Sequence, residues 1–415
     1  SEHELVQAMS FFRFVNKVLD LRDNDADIQR FHLDFGTFHP SVSKMHRWIG
    51  TAVSHNVQKL KIESRVQGVL FSFKAEPKDG FEIPPCLCTC KSLTKLKLVL
   101  PGYVNDDDKI ILPHEMSLPQ LKSLHPSLED MAFDDEKLTN KFFSSFPSLE
   151  SLIMEMGSTG FHNMNLHISL PKLEYFQFGS RNLERGTDVK VKLHAPSLSS
   201  FVSNSYISTS FTLENLSSLA IADIKIRIKY EDQVSGGSSE ICAEKKEIYA
   251  QHTTGLLRGI QNVKVLKLDD SVLKALGGAP DILNTQLPEF RNLQHLKLQT
   301  YLPRDCLRSI FYILKNSPNI ESVSLPAQRN GRFNPPLYPY FDEGTTGMQG
   351  FLCGCVNELK FLEILLKHAM VLEKVILTSN LTNQDSQGKK RMMKFSEMLL
   401  KFPTASKKIL FLLNS

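Results

Sequence analysis

One six-residue pattern, apolar-x-x-apolar-x-apolar, recurs along the chain and leaves few folds open to it. Its clean copies begin at Ile28, Val57, Leu93, Leu149, Leu173, Leu216, Val263, Leu293, Ile320 and Leu372. Worn copies at Leu121 and Leu198 lose the last apolar position to Pro126 and Ser203. The last two apolar residues of each copy alternate as a strand does, so both face one side and the residue between them faces the other. A single copy cannot bury its apolar side. Copies stacked side by side make a parallel sheet with a continuous core behind it.

The spacing defines the repeat. The fourth positions are Phe31, Leu60, Leu96, Leu124, Leu152, Phe176, Phe201, Leu219, Leu266, Leu296, Val323 and Val375, at intervals of 29, 36, 28, 28, 24, 25, 18, 47, 30, 27 and 52 residues. Most intervals are close to the length of a leucine-rich repeat. Helical patterns fall between the copies: Met45, Trp48, Ile49 and Val53, then Leu307, Ile310, Phe311 and Leu314, then Leu359, Leu362, Leu365 and Leu366. A further helix is expected to close at Leu399-Leu400, before Pro403. The fold expected is α/β: an irregular leucine-rich-repeat solenoid. One parallel β-sheet lines its concave face, with helices and loops on the convex face. A last strand is expected through Lys408–Leu413.

Length and composition agree with this. At 415 residues the chain exceeds the roughly 250–300 at which single cores stop growing, so it must divide or extend as an array. Its net charge of +4 is too diffuse for a nucleic-acid footprint, and no nucleic-acid partner is expected. No apolar run approaches a membrane span, so no membrane association is expected either. Seven cysteines in a chain this long argue against a secreted disulfide framework and for an intracellular setting, nucleus or cytoplasm. The sequons at Asn215 and Asn380 are of the number chance produces.

Three stretches interrupt the rhythm. Glu231–Gly255, with Gly236-Gly237-Ser238-Ser239, reads as an exposed loop insert. Pro326–Gly350 is rich in Pro, Gly and aromatic residues, and Ser379–Lys390 is polar and basic. Loops of this length are commonly functional or disordered.

Several segments then match one known family in order and spacing. Phe11–Asp23 (FFRFVNKVLDLRD), Asp27–Phe35 (DIQRFHLDF) and Arg47–Ile62 (RWIGTAVSHNVQKLKI) resemble the region that follows the F-box in plant F-box/LRR proteins. Ile83–Leu98 (IPPCLCTCKSLTKLKL) is similar to that family's linker into the next repeat, and the tail through Ser396–Leu412 resembles the FBD region. The domains expected are a post-F-box helix and linker (1–26), the repeats (27–350) and an FBD-like region continuing them (351–415). The F-box itself is absent from this chain, which begins at Ser1 and reads as a piece of a longer protein. The regular Asn that follows LxxLxL in many leucine-rich repeats is also missing: Val99-Leu100-Pro101 follow Leu98, and Gln299-Thr300-Tyr301 follow Leu298.

The resemblance implies a substrate adaptor of a cullin–RING ubiquitin ligase. The missing F-box would dock on the Skp-type adaptor and cullin, and the repeats would hold the protein to be ubiquitinated. Composition and periodicity show none of that chemistry. The sequence has no phosphate-binding glycine loop, no HExxH and no GxSxG, so no enzyme activity, cofactor or metal is expected. The alternatives are an F-box-less repeat scaffold and a small-molecule-responsive repeat receptor whose long inserts roof a pocket.

Lesser motifs have ordinary readings. Cys86, Cys88 and Cys90, with the distant Cys353 and Cys355, lack zinc spacing and read as small core fillers. Pro335–Tyr338 matches a WW-domain ligand. Asp106–Asp108 reads as a solvated turn, and Lys389-Lys390-Arg391 with Lys394 as a cap on the following helix. Trp48, the single Trp, is expected to anchor its helix to the sheet.

The surface most open to function is lined by the fifth residue of each copy. The partner-binding residues expected there are His32, Lys61, Lys97, Ile153, Gln177, Lys267, Lys297 and Ser324, with Ala220 and Ile376 in the same series. Four are Lys, which points to an acidic patch on the partner. The chain is expected to act as a monomer.

Overall fold

The computed structural model describes residues 2–23, 25–35, 40–64, 83–99, 116–128, 136–156, 164–180, 189–228, 241–300, 304–324, 356–368, 374–378, 394, 397–398, 401 and 410–414. The inserts at 326–350 and 379–390, Pro335–Tyr338, Asp106–Asp108, Lys389–Arg391, Cys353, Cys355 and Leu399-Leu400 lie outside these residues. The chain forms two compact units, residues 1–199 with 208–218, and residues 200–207 with 219–415.

In the first unit the strands are β1 (Arg30–Phe35), β2 (Lys59–Ser64), β3 (Lys95–Val99), β4 (Ser123–Leu128), β5 (Ser151–Met156), β6 (Met164–Ser169), β7 (Tyr175–Ser180) and β8 (Val189–His194). β9 (Ser200–Tyr206) belongs to the second unit, and the chain returns to the first for β10 (Ser210–Glu214). β1, β2, β3, β4, β5 and β7 pair in that order, each parallel to the next. Their register aligns Phe31, Leu60, Leu96, Leu124, Leu152 and Phe176, the fourth positions of six successive copies. Leu60, Leu96, Leu124, Leu152 and Phe176 are buried, each contributing on the order of 1.5–3 kcal/mol.

Backbone polar groups at the strand entries are satisfied by a repeating device. The amides of the second and third residues of one copy donate to the carbonyl of the second residue of the copy before. Thr94 and Lys95 donate to Gln58, Lys122 and Ser123 to Thr94, Glu150 and Ser151 to Lys122, and Glu174 and Tyr175 to Glu150, at 2.8–3.1 Å. This backbone ladder joins successive copies at their strand entries.

Helices α1 (Glu2–Asp20), α2 (Val42–Ser54), α3 (Pro85–Cys88) and α4 (Glu136–Ser144) supply part of the second layer. Met45, Trp48, Ile49 and Ala52 form the buried stripe of α2. The Trp48 indole joins α2 to α1: its Nε1–H donates to Asn16 Oδ1 at 2.7 Å, and its ring lies 6.0 Å from that of Phe12. α1 buries Phe12 and Val15 but leaves Phe14 and Val18 exposed, as is Leu21 just beyond its end. Cys88 and Cys90 are buried, as fillers would be, whereas Cys86 is exposed.

The rest of the second layer adds strands to the helices and loops expected there. β6, β8 and β10 form a separate parallel sheet in the order β10-β8-β6. Phe211 of β10 meets Phe178 of β7 edge-on at 5.5 Å, and Leu166, Ile168, Val191 and Leu193 are buried. The copies here are the short ones: Leu152, Phe176, Phe201 and Ala222 stand 24, 25 and 21 residues apart. A strand advances about 3.3 Å per residue against 1.5 Å for a helix, so it crosses back with fewer residues.

In the second unit β9 pairs with β11 (Ile221–Arg227), followed by β12 (Val265–Asp269), β13 (His295–Gln299), β14 (Ser322–Ser324), β15 (Lys374–Thr378) and β16 (Leu410–Asn414), all parallel. β16 falls where the last strand was expected. Helices α5 (Ala243–Gly259), α6 (Asp270–Gly277), α7 (Pro280–Gln286), α8 (Arg304–Lys315) and α9 (Val356–His368) accompany the sheet, and α5, α6, α8 and α9 pack as successive neighbours.

Two expectations change in this unit. Residues 243–255, read as part of an exposed insert, begin α5, whose buried stripe is Tyr249, Ala250, Thr253, Thr254, Leu256 and Leu257. Small and hydroxyl side chains on that stripe hide its helical period from a hydropathy reading. The copy read from Leu216 also shifts by three residues. Ala222, not Leu219, is in register with Phe201 and Leu266, and Lys264 and Val265 donate to the carbonyl of Ala220. The pattern in register begins at Leu219 and runs through Ala222 to Ile224, all buried.

Candidate functional site

In both units one side of the sheet carries the core, while the side chains on the other side are half-buried or exposed; β3 alternates in this way from Lys95 to Val99. A parallel sheet usually has both faces covered. An open face is therefore the feature that calls for a function. Because alternate residues share a face, cross-strand register sorts its side chains into rows.

In the first unit the row through the fifth positions contains His32, Lys61 and Lys97, directly opposite one another, followed by His125 on β4. On β5 and β7, Ile153 and Gln177 are direct partners in the same series. Gln177 Oε1 accepts the Tyr175 hydroxyl at 2.7 Å. One row beyond stand Asp34 and Glu63. The Glu63 carboxylate takes Lys61 Nζ at 2.6 Å on one oxygen and Lys97 Nζ on the other, with His32 Nε2 at 3.7 Å. Partial burial works to raise the Glu63 pKa. The hydrogen bonds and charges of Lys61 and Lys97 outweigh it and hold the carboxyl down at about 2. Two of the lysines expected to meet a partner are thus already paired.

His32, Asp34 and Glu63 bring ligand-type atoms within 4.8 Å of one another. A metal ion there would have to displace both ammonium groups from Glu63, so the cluster is best described as an ion-pair network.

One row before the fifth positions, Arg30, Lys59 and Lys95 lie directly opposite one another on β1, β2 and β3. The same row continues as Ser123, Ser151 and Tyr175. These third positions share the open face with the fifth, and the hexad pattern could have flagged them.

In the second unit Lys267 and Lys297 are direct partners, with Ser324 next on β14. Asp223 takes the place expected for Ala220, because of the shift in register. Its Oδ2 pairs with Lys267 Nζ at 3.2 Å, while Lys297 is exposed. Ile376 is in register with Leu412. At the end of β12, Asp269 accepts the amide of Val272, capping α6, at 3.0 Å, and the amide of Ile226 at 3.3 Å. Burial raises the Asp269 carboxyl to about 7, against the lowering effect of the two amides and of Lys225. The eight expected residues therefore fall into two sets, five in one unit and three in the other. The carboxylates that partner the lysines were not anticipated.

Comparison with known proteins places this arrangement. Residues 45–226 match the family described as FBD-associated F-box protein At5g56370, LRR repeats. The chain is 27% identical to the F-box/FBD/LRR-repeat protein At1g78750 of Arabidopsis thaliana, over 76% of this chain and 63% of that protein. It is 26% identical to the putative F-box/LRR-repeat protein At3g59160 of Arabidopsis thaliana, over 76% of this chain and 64% of that protein. A third Arabidopsis thaliana relative, the putative F-box/LRR-repeat protein At3g58920, is 25% identical over 88% of this chain and 75% of its own length. The chain thus spans slightly under two thirds of the first two relatives. No helix among the described residues is long and apolar enough to cross a membrane. With its registered parallel ladder of LxxLxL copies, the chain resembles the plant F-box/LRR-repeat proteins.

Proposed function

We propose that this chain is a protein-recognition module and that the open face of its parallel sheet receives the partner. The observation that carries the reading is that face itself: rows of polar side chains in cross-strand register, with the apolar residues of the same strands buried behind them. The repeats are read as stacking into an irregular solenoid with the open face concave, and residues 351–415 as an FBD-like continuation. The finer assignment follows from the family. In the whole protein an F-box engages the Skp-type adaptor and cullin, and the repeats present a protein for ubiquitination in the nucleus or cytoplasm. The module is non-catalytic and acts as a monomer.

The test is co-precipitation from plant tissue with an antibody to the repeats, probing for the Skp adaptor and cullin, with expressed residues 1–415 as control. The natural protein is expected to bring down both and the control neither. If the natural protein brings down neither, the ligase assignment is withdrawn. Replacement of Ile153 by Arg on the open face tests the recognition surface separately, and is expected to abolish capture of the natural partner.

A further inference from the structure

Arg30, Lys59 and Lys95 are direct cross-strand neighbours on the open face of the first unit. Adjacent strands lie about 4.8 Å apart, so three cations are gathered over roughly 10 Å. Like charges directly opposite one another destabilise a sheet. In the next row the chain relieves this, since Glu63 pairs with both Lys61 and Lys97. In the row of Arg30, Lys59 and Lys95 no carboxylate among the described residues pairs with any of the three. Arg30 and Lys95 are exposed and Lys59 is half-buried. Folding alone gives no reason to keep such a row; an anionic ligand does.

We propose that Arg30, Lys59 and Lys95 dock an acidic peptide segment of the partner protein, lying across β1, β2 and β3. The surroundings favour a peptide. Asp34 and Glu63 stand two rows away on the same face and confine the positive charge, where a nucleic-acid backbone needs a longer basic track. Beyond β3 the row continues with the hydroxyl residues Ser123, Ser151 and Tyr175, which suit neutral peptide groups. The inference rests on reading the open face as the recognition surface. It moves the acidic contact from Lys61 and Lys97, which are paired with Glu63, to the third-position cations, which pair with no carboxylate among the described residues.

The test uses the full chain and fluorescence anisotropy with three probes: a labelled peptide of four glutamates followed by Ser-Gly residues, its glutamine counterpart, and a single-stranded oligonucleotide. A variant with Arg30→Gln, Lys59→Gln and Lys95→Gln is compared with one of equal charge, Lys172→Gln, Lys190→Gln and Lys264→Gln, at exposed lysines off the row. The row variant is expected to weaken glutamate-peptide binding about tenfold, and the control variant by less than about twofold. The parent's binding is also expected to fall as salt rises, since screening shortens to about 10 Å at 0.1 M. Thermal unfolding of the row variant should match or exceed the parent, because repulsion is removed, so loss of binding is not loss of fold. Equal weakening by both variants, or tighter binding of the oligonucleotide than of the peptide through the same row, overturns the proposal. If the row variant binds the peptide as the parent does while Ile153→Arg abolishes capture of the natural partner, the acidic row falls and the recognition face stands. If Ile153→Arg also leaves capture intact, both fall.

Discussion

Lys97 on β3 reaches back across the ladder to Glu63 on β2, whose other oxygen already holds Lys61 at 2.6 Å. Lys61 and Lys97 are direct cross-strand partners, so Glu63 turns a repulsive pair into a three-residue bridge. Glu63→Gln should destabilise the first unit by roughly 1 kcal/mol, a modest figure because both lysines are about one-third exposed and solvent screens them. Urea denaturation at neutral pH checks this. Adding Lys97→Gln to Glu63→Gln should recover part of the loss, since it removes the repulsion.

The same carboxylate sets a pH dependence. Its folded pKa of about 2 lies below the usual 4.5. Its contribution to stability is therefore fully present above about pH 4.5 and is lost as pH falls toward 2. Denaturation midpoints of the parent should fall across that window, and those of Glu63→Gln should fall less steeply.

Asp269 works in the opposite sense. Its folded pKa is raised from 3.8 to about 7, so the folded state holds the proton more tightly than the unfolded chain. The contribution is fully present below about pH 4 and is lost as pH rises through 7. Asp269→Asn keeps one acceptor oxygen, for the Val272 amide, and removes the titrating charge, at the loss of the second oxygen that accepts from Ile226. It should flatten the decline between pH 4 and 7. Asp269→Ala removes the α6 cap and leaves both amides unpaired, and should cost about 1–3 kcal/mol at any pH.

Register was legible in the sequence wherever one reading of the pattern fitted. It was not at Leu216–Ile224, where two overlapping hexads fit equally well: Leu216-Leu219-Ile221 and Leu219-Ala222-Ile224. Burial of Ala222 and the donation of Lys264 and Val265 to Ala220 select the second. Periodicity cannot make that choice, because both frames satisfy it. The helical stripe of α5 escaped for a different reason: Ala250, Thr253 and Thr254 carry too little hydropathy to mark a face. The open-face lysines were visible, but Glu63 and Asp223 were not, since an ion pair depends on which strands become neighbours. The shifted frame makes its own prediction. Ala222 stands between Phe201 and Leu266 with no exposed surface, so Ala222→Leu should overpack the core and cost roughly 1–3 kcal/mol. In the frame beginning at Leu216, residue 222 would lie past the hexad and tolerate the change, so thermal unfolding of this one variant separates the two.

The contact of Trp48 with Asn16 gives the first unit its own reporter. Trp48 is the single Trp of the chain, fully buried, and its indole N–H has Asn16 Oδ1 as acceptor on α1. Asn16→Ala removes that acceptor and should cost about 1–3 kcal/mol. Asn16→Asp retains it and should cost less. Tryptophan emission followed through urea denaturation reads this unit directly. The Asn16→Ala transition should move to lower urea, whereas an unchanged midpoint would mean that this hydrogen bond adds nothing to the stability of the unit.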